Sequence, residues 1–425
     1  MFVKTILKAV SSFLFLSLLY KNLKKSANRC IQETDTYAIM IDAGSTGTRI
    51  HVYMFKKCQG KIKSVMDEVF VERKPGLSSL SPKEGSAQIR ELLQVAVNAI
   101  PKDLHHCTKI AIKATAGLRL LPEDTTNEIL NHIRETIIES PFTPYLGTME
   151  AVSVIDGKEE GILIYLCHIG VSAWLGLNFL LKRLGKESLY SEFEKTALII
   201  DLGGASVQIV YEIPEKSGQS LNHKIIVDGR DIHLHQKSYL GFGLNSIKDK
   251  FIKDLKEKGL TVTHCITSGF SFQNITGKGS HRECLEHTNK LLMHNENCVS
   301  LDCLSAEIRN PKVPSETEAY IFSYFYDSLN PLMPEKFFYV TPFEVQKLAE
   351  QICHLNETDS YLHKLVKNNP LYCFELNYFL SLWINGFGFN QHQKLYVIKK
   401  INNFETSWTL GAAMKMVEDS ATSGC

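Results

Sequence analysis

Two short stretches carry the residues most suited to chemistry. Asp42-Ala-Gly-Ser-Thr-Gly-Thr-Arg49 and Asp201-Leu-Gly-Gly-Ala-Ser-Val-Gln208 each place an aspartate at the end of an apolar run, directly before a loop of Gly, Ser, Thr and Ala. Small residues let backbone amides approach an anion closely, so Ser45, Thr46, Gly47 and Thr48 in the first loop, and Gly203, Gly204, Ala205 and Ser206 in the second, form two phosphate-sized cradles. An aspartate beside a bound phosphate is tolerable only when a cation stands between them, so Asp42 and Asp201 imply a divalent metal, Ca²⁺ or Mg²⁺.

The elements around these loops follow from their patterning. Tyr37-Ala-Ile-Met-Ile and Thr196-Ala-Leu-Ile-Ile are buried strands, and Ile50-His-Val-Tyr-Met-Phe and Val207-Gln-Ile-Val-Tyr are returning strands. The chain therefore uses one hairpin plan twice. No helix opens at either loop, which separates both from dinucleotide-binding and P-loop turns. Helical periodicity at Glu84–Ile100 and Thr126–Ile138 brackets a strand at Lys109–Lys113. Each hairpin thus begins an α/β lobe, and the fold class is α/β with two duplicated lobes that enclose an interlobe cleft. The expected division is a signal segment over 1–30, lobe I over 35–165 and 400–425, and lobe II over 166–399.

Bulk properties agree with a large globular enzyme. A chain of 425 residues with 44% hydrophobic and 22% charged residues can bury more than one core. The formal net charge of +1 gives no global field for nucleic acid. Lys4 and Lys8, the apolar run 9–20, and Lys21, Lys24 and Lys25 form a signal peptide or an uncleaved signal anchor, the latter being the only expected membrane contact. Besides the terminal Cys425, six of the eleven cysteines (Cys265, Cys284, Cys298, Cys303, Cys353 and Cys373) lie in the C-terminal half without paired zinc knuckles, which favours disulfides. The sequons at Asn274 and Asn356 fit a luminal chain. Nothing in the sequence sets an oligomeric state.

Five motifs in order, the two aspartate loops together with Lys113-Ala-Thr-Ala-Gly-Leu-Arg-Leu-Leu-Pro122, Asp156-Gly-Lys-Glu-Glu160-Gly161 and Asn403-Phe-Glu-Thr-Ser-Trp408-Thr-Leu-Gly411, resemble the conserved regions of the nucleoside triphosphate diphosphohydrolase (apyrase) family. Lys74-Pro-Gly-Leu-Ser78 and Phe322-Ser-Tyr-Phe-Tyr-Asp327 look most like its soluble endoplasmic-reticulum and Golgi members. The resemblance implies a two-lobed actin- and hexokinase-like fold, a nucleotide substrate, and metal-dependent removal of the terminal phosphate of UDP- or GDP-type diphosphates, with triphosphates as a second class. It makes Glu160 the general base, with Glu159 its adjacent competitor. Ser206 and Gln208 would position water, Thr115 is the active-site threonine, and Arg119 supports its loop. Asp42 and Asp201 would hold the metal largely through water. Trp408 and the trio Tyr324, Phe325 and Tyr326 are candidates to meet the base. Family cysteines also match the pairs Cys265–Cys284 and Cys353–Cys373, with Cys298–Cys303 a third expected short loop.

Two departures qualify this resemblance. About nine residues, Ile162–Gly170, separate Glu160-Gly161 from Ala173-Trp174, where the family pattern leaves about two; as helix they would turn every later side chain by half a revolution. Val207 replaces the usual Thr. The alternative is therefore a catalytically impaired luminal nucleotide-binding protein. The apolar run Gly161–Leu180 is expected to be a buried helix between lobes, not a membrane span.

Overall fold

The structure, a computed structural model, describes residues 33–119, 121–155, 169–184, 196–214, 222–227, 229–293, 304, 313, 317–334, 339–355 and 359–419. The signal segment, Glu159, Glu160, Cys298, Cys303 and Asn356 lie outside them.

The first sheet opens with strands β1 (Glu33–Ala43), β2 (Thr48–Cys58) and β3 (Lys61–Arg73), paired antiparallel in chain order. Helix α1 (Pro82–Ala99) follows, begun by a reciprocal cap in which Ser81 accepts from the Glu84 amide and Glu84 accepts from the Ser81 amide. Strand β4 (Lys109–Ala114) then lies parallel beside β1, and α2 (Glu123–Ile138) leads to the short edge strands β5 (Thr143–Pro144) and β6 (Val152–Val154), both parallel to β4. Both faces of β1 are covered. Ile39 and Ile41 pack toward α1 and α2, whereas Ala38 and Met40 face the other way, so the strand reads as an unbroken apolar run.

Helix α3 (Ile169–Leu180) enters the second half, which repeats the plan. Strands β7 (Leu198–Leu202) and β8 (Ser206–Glu212) form the second hairpin, and β9 (Asn222–Val227) and β10 (Arg230–Leu240) extend it antiparallel on the β8 side. After α4 (Leu244–Glu257), strand β11 (Ala319–Ser323) takes the place beside β7 that β4 has beside β1, again parallel. It leads into α5 (Tyr324–Leu332), and β12 (Leu395–Val397) completes the sheet. The expected duplication is present in topology as well as in sequence. The disulfide Cys265–Cys284 ties a turn to the helix His281–Met293, and Cys353–Cys373 joins the helices Pro342–Cys353 and Tyr372–Leu380. Cys58 and Cys107 are also disulfide-bonded.

Two helices lie between the sheets. The last, α6 (Trp408–Asp419), packs on β1, and α3 packs on β7, β8 and β10 while crossing α6. Helix α3 is buried at every position from Gly170 to Asn178, as expected for an apolar helix between two layers. Among the described residues no helix is long and apolar enough to cross a membrane. The crossing depends on a missing side chain: a Cβ on Gly411 would lie 2.0 Å from the Ser172 carbonyl oxygen. Alanine favours a helix over glycine by about 1 kcal/mol, but overpacking against rigid backbone costs about 3 kcal/mol. Gly411→Ala is therefore expected to lower the denaturant midpoint clearly. An unchanged midpoint would count against this packing.

Candidate active site

The two aspartate loops meet across the interlobe cleft. A Cβ on Gly204 would lie 2.7 Å from Ser45 Oγ, so the loops are in direct contact and a larger residue there would displace the Ser45 side chain. The backbone N–H groups of Ser45, Thr46, Gly204 and Ala205 find no acceptor among the described residues. Unsatisfied amides in two facing turns make an anion site. The second loop is braced by Leu244 and Asn245 amides donating to the Gly203 and Gly204 carbonyls at 3.0 and 2.9 Å.

A cleft of about 540 Å³ is lined by Asp42, Ser45, Thr46, Thr115, Asp201, Gly203, Gly204, Ala205, Ser206, Gln208 and Trp408, which brings together most of the residues expected from the sequence. Gly47 and Thr48 do not line it. Thr48 is fully buried where β2 pairs with Ala43, and its hydroxyl has no partner among the described residues. The Thr115 amide donates to the Ala43 carbonyl at 3.1 Å, which fixes the end of β4 beside the first loop. Gln208 Nε2 donates to Ser206 Oγ at 2.6 Å and to Ser238 Oγ at 3.1 Å, so these two expected water-positioning groups are already oriented.

The aromatic trio divides. Tyr324 and Tyr326 line the cleft. Phe325, expected with them, is instead fully buried against Phe379 and Trp383, because successive residues of α5 point in different directions. Trp408 is only 4% exposed, and its indole N–H lies beside Asp42, where it favours the carboxylate. Little ring face remains for a base.

The two aspartates behave as a pair of confined charges. Burial raises the Asp42 pKa above the usual carboxylate range against the opposing pull of Arg49, His51 and Trp408, and Asp42 Oδ1 has no hydrogen-bond partner among the described residues. Asp201 is pushed up to about 6, first by burial and further by the charge of Asp42, while the Ser323 hydroxyl opposes the shift. Two buried carboxylates, one with an orphaned oxygen, suit a bound cation whose remaining contacts come from water and substrate. No group of three or more His, Cys, Asp or Glu able to hold a metal occurs among the described residues.

Sequence inspection missed the charges around Asp42. The register sets Asp42, Arg49 and Glu72 side by side on β1, β2 and β3, with Arg49 Nη2 2.7 Å from Glu72 and Nη1 3.7 Å from Asp42. Two residues further along the same face, His51 Nδ1 is 2.6 Å from Glu68, and Glu68 also accepts the Glu405 amide at 2.7 Å. Tyr53 and Thr409 share a 2.8 Å hydrogen bond that anchors the start of α6. Counting back from a four-residue hairpin loop would have placed Arg49 opposite Asp42; Glu68 and Glu72 had no comparable signal.

The chain matches the GDA1/CD39 (nucleoside phosphatase) family over residues 28–423. It belongs to that family. This nucleoside phosphatase is 32% identical to the guanosine-diphosphatase of Schizosaccharomyces pombe, over 90% of the chain and 74% of the relative. It is 31% identical to the human nucleoside diphosphate phosphatase ENTPD5, over 91% and 89%. In fold it resembles the nucleoside triphosphate hydrolases of Neospora caninum, with a TM-score of 0.61 at 13% identity, covering 97% and 98% of the two chains.

The raised Asp201 pKa gives a pH-dependent metal effect. Because its folded pKa of about 6 exceeds the unfolded value, the bound proton stabilises the metal-free protein below the unfolded pKa, and that contribution is lost as pH rises through about 6. A cation held by this carboxylate would have to displace the proton. Mg²⁺ or Ca²⁺ is therefore expected to raise the melting temperature more at pH 8 than at pH 5. A metal-induced shift of equal size at both pH values would contradict the assignment.

Proposed function

We propose that this nucleoside phosphatase hydrolyses the terminal phosphate of nucleoside diphosphates of the GDP and UDP type, with triphosphates as a second class, in the lumen of the secretory pathway. The observation that carries this is the pair of facing loops with free amides, each led by a buried aspartate. The names of the fungal and human relatives favour diphosphates. The disulfides favour an oxidising compartment.

Asp42 and Asp201 would hold hydrated Ca²⁺ or Mg²⁺, whose charge neutralises the phosphate oxygens. The amides of the two loops grip the phosphate groups, and Ser206 and Gln208 align the attacking water. Glu160 takes the proton from that water as its oxygen bonds to the terminal phosphorus and the bridging P–O bond breaks, giving phosphate and the shorter nucleotide. Phosphoryl transfer needs chiefly positioning and charge neutralisation, so this set suffices. Trp408 then serves by holding Asp42, while Tyr324 and Tyr326 flank the remaining space.

The competing possibility is a binding protein impaired by the insertion after Gly161. Its residues 162–168 lie outside the described part, while Ile169 and Gly170 form the start of α3, and Ile169 lines the cleft. Phosphate release from GDP, UDP and GTP, with Mg²⁺ or Ca²⁺ and with EDTA, separates the two. Metal-dependent release is expected. Tight nucleotide binding without release from any of them would favour the binding protein.

A further inference from the structure

Ser323 ends β11 where that strand runs parallel to β7, with Phe322 in register with Asp201 and Ser323 with Leu202. Its backbone has φ 61° and ψ −127°, a region that glycine enters freely and other residues avoid. Among the described residues, it is the only non-glycine residue of positive φ that lines the cleft. It also occupies the N-cap of α5, where serine ordinarily accepts from a free helix amide, yet it makes no such bond. Its Oγ instead donates to Asp201 Oδ1 at 2.6 Å. One residue thus gives up both an unstrained backbone and a helix cap, and the interaction made in their place is with a metal-site carboxylate.

We propose that Ser323 is a positioning residue for Asp201. Its hydroxyl occupies Oδ1 and fixes the carboxylate's orientation, leaving the other oxygen for the hydrated cation. This rests on the reading of Asp201 as a metal-site residue given above. Strain kept at a functional cleft is expected where the rest of the fold over-determines it. Glycine would relieve the backbone but bring no hydroxyl. Threonine would keep the hydroxyl but crowd a positive-φ position with a branched Cβ.

These differences make the role testable in the full chain. Ser323→Gly is expected to raise the melting temperature by about 1–3 °C as strain is released. The same variant should weaken Mn²⁺ binding, measured by electron paramagnetic resonance without substrate, by about tenfold, and lower kcat about ten- to a hundredfold with a smaller change in KM. Ser323→Ala should show the same losses without the gain in stability, and Ser323→Thr should recover part of the Mn²⁺ affinity at a lower melting temperature. Wild-type Mn²⁺ affinity in both the glycine and alanine variants would overturn the proposal, whatever their turnover. Wild-type protein that releases no phosphate from any nucleotide would refute the hydrolase function instead, and the Mn²⁺ measurement would still decide the role of Ser323.

Discussion

Replacing Glu160 with glutamine is expected to lower turnover by about two to four orders of magnitude while nucleotide binding persists. The substitution keeps size and hydrogen-bonding reach but removes the ability to accept a proton. Glu160 itself lies outside the described residues, yet both flanks of its segment are placed at the cleft. On one side, the Ile155 amide donates to the Ala114 carbonyl at 2.9 Å, next to Thr115 on the cleft wall. Buried Lys113 fastens that region through 2.6 Å and 2.7 Å hydrogen bonds to the Glu150 carbonyl and Ser153 Oγ. On the other side, Ile169 lines the cleft. The measurement is kcat at saturating GDP and UDP, with affinity for a non-hydrolysable analogue determined in parallel. Turnover near wild type would remove Glu160 from the chemistry and direct attention to Glu159.

Asp42→Asn and Asp201→Asn are each expected to abolish metal-dependent hydrolysis, because each deletes a charge needed to hold the cation opposite the phosphates. The structure adds an expectation that a merely destabilising mutation would not share. Both carboxylates are raised in pKa by burial, so in the metal-free protein at neutral pH their charges oppose folding. Asparagine removes that penalty and preserves shape, and at position 201 its carbonyl can still accept from Ser323. The metal-free variants should therefore melt at or above the wild-type temperature and show no further rise on adding Mg²⁺ or Ca²⁺. Ordinary turnover in both variants, or a wild-type response to metal in the melting curve, would show that the aspartates do not hold the cation.

The sequence alone determined the local pieces of this nucleoside phosphatase. Four or five apolar residues, an aspartate, a run of small residues and a return strand specify a hairpin, since the interactions that form it lie within about twenty residues. The helix expected over Glu84–Ile100 and the two described disulfide pairs were legible for the same reason of short reach, aided in the case of the cysteines by family resemblance. What the hairpins face was decided only in three dimensions. Ser45 meets Gly204 because α3 and α6 cross between the sheets, and that crossing rests on contacts between segments far apart in the chain. Ser323 reaches Asp201 across 122 residues because β11 pairs parallel with β7, and parallel partners are joined only by long crossovers. Phe325 turns to the core while Tyr324 and Tyr326 line the cleft because successive residues of α5 point in different directions, and the packing of the helix against Phe379 and Trp383 selects which of them faces inward. Contacts of that range depend on how whole sheets and helices pack, and no local window of residue types contains that information.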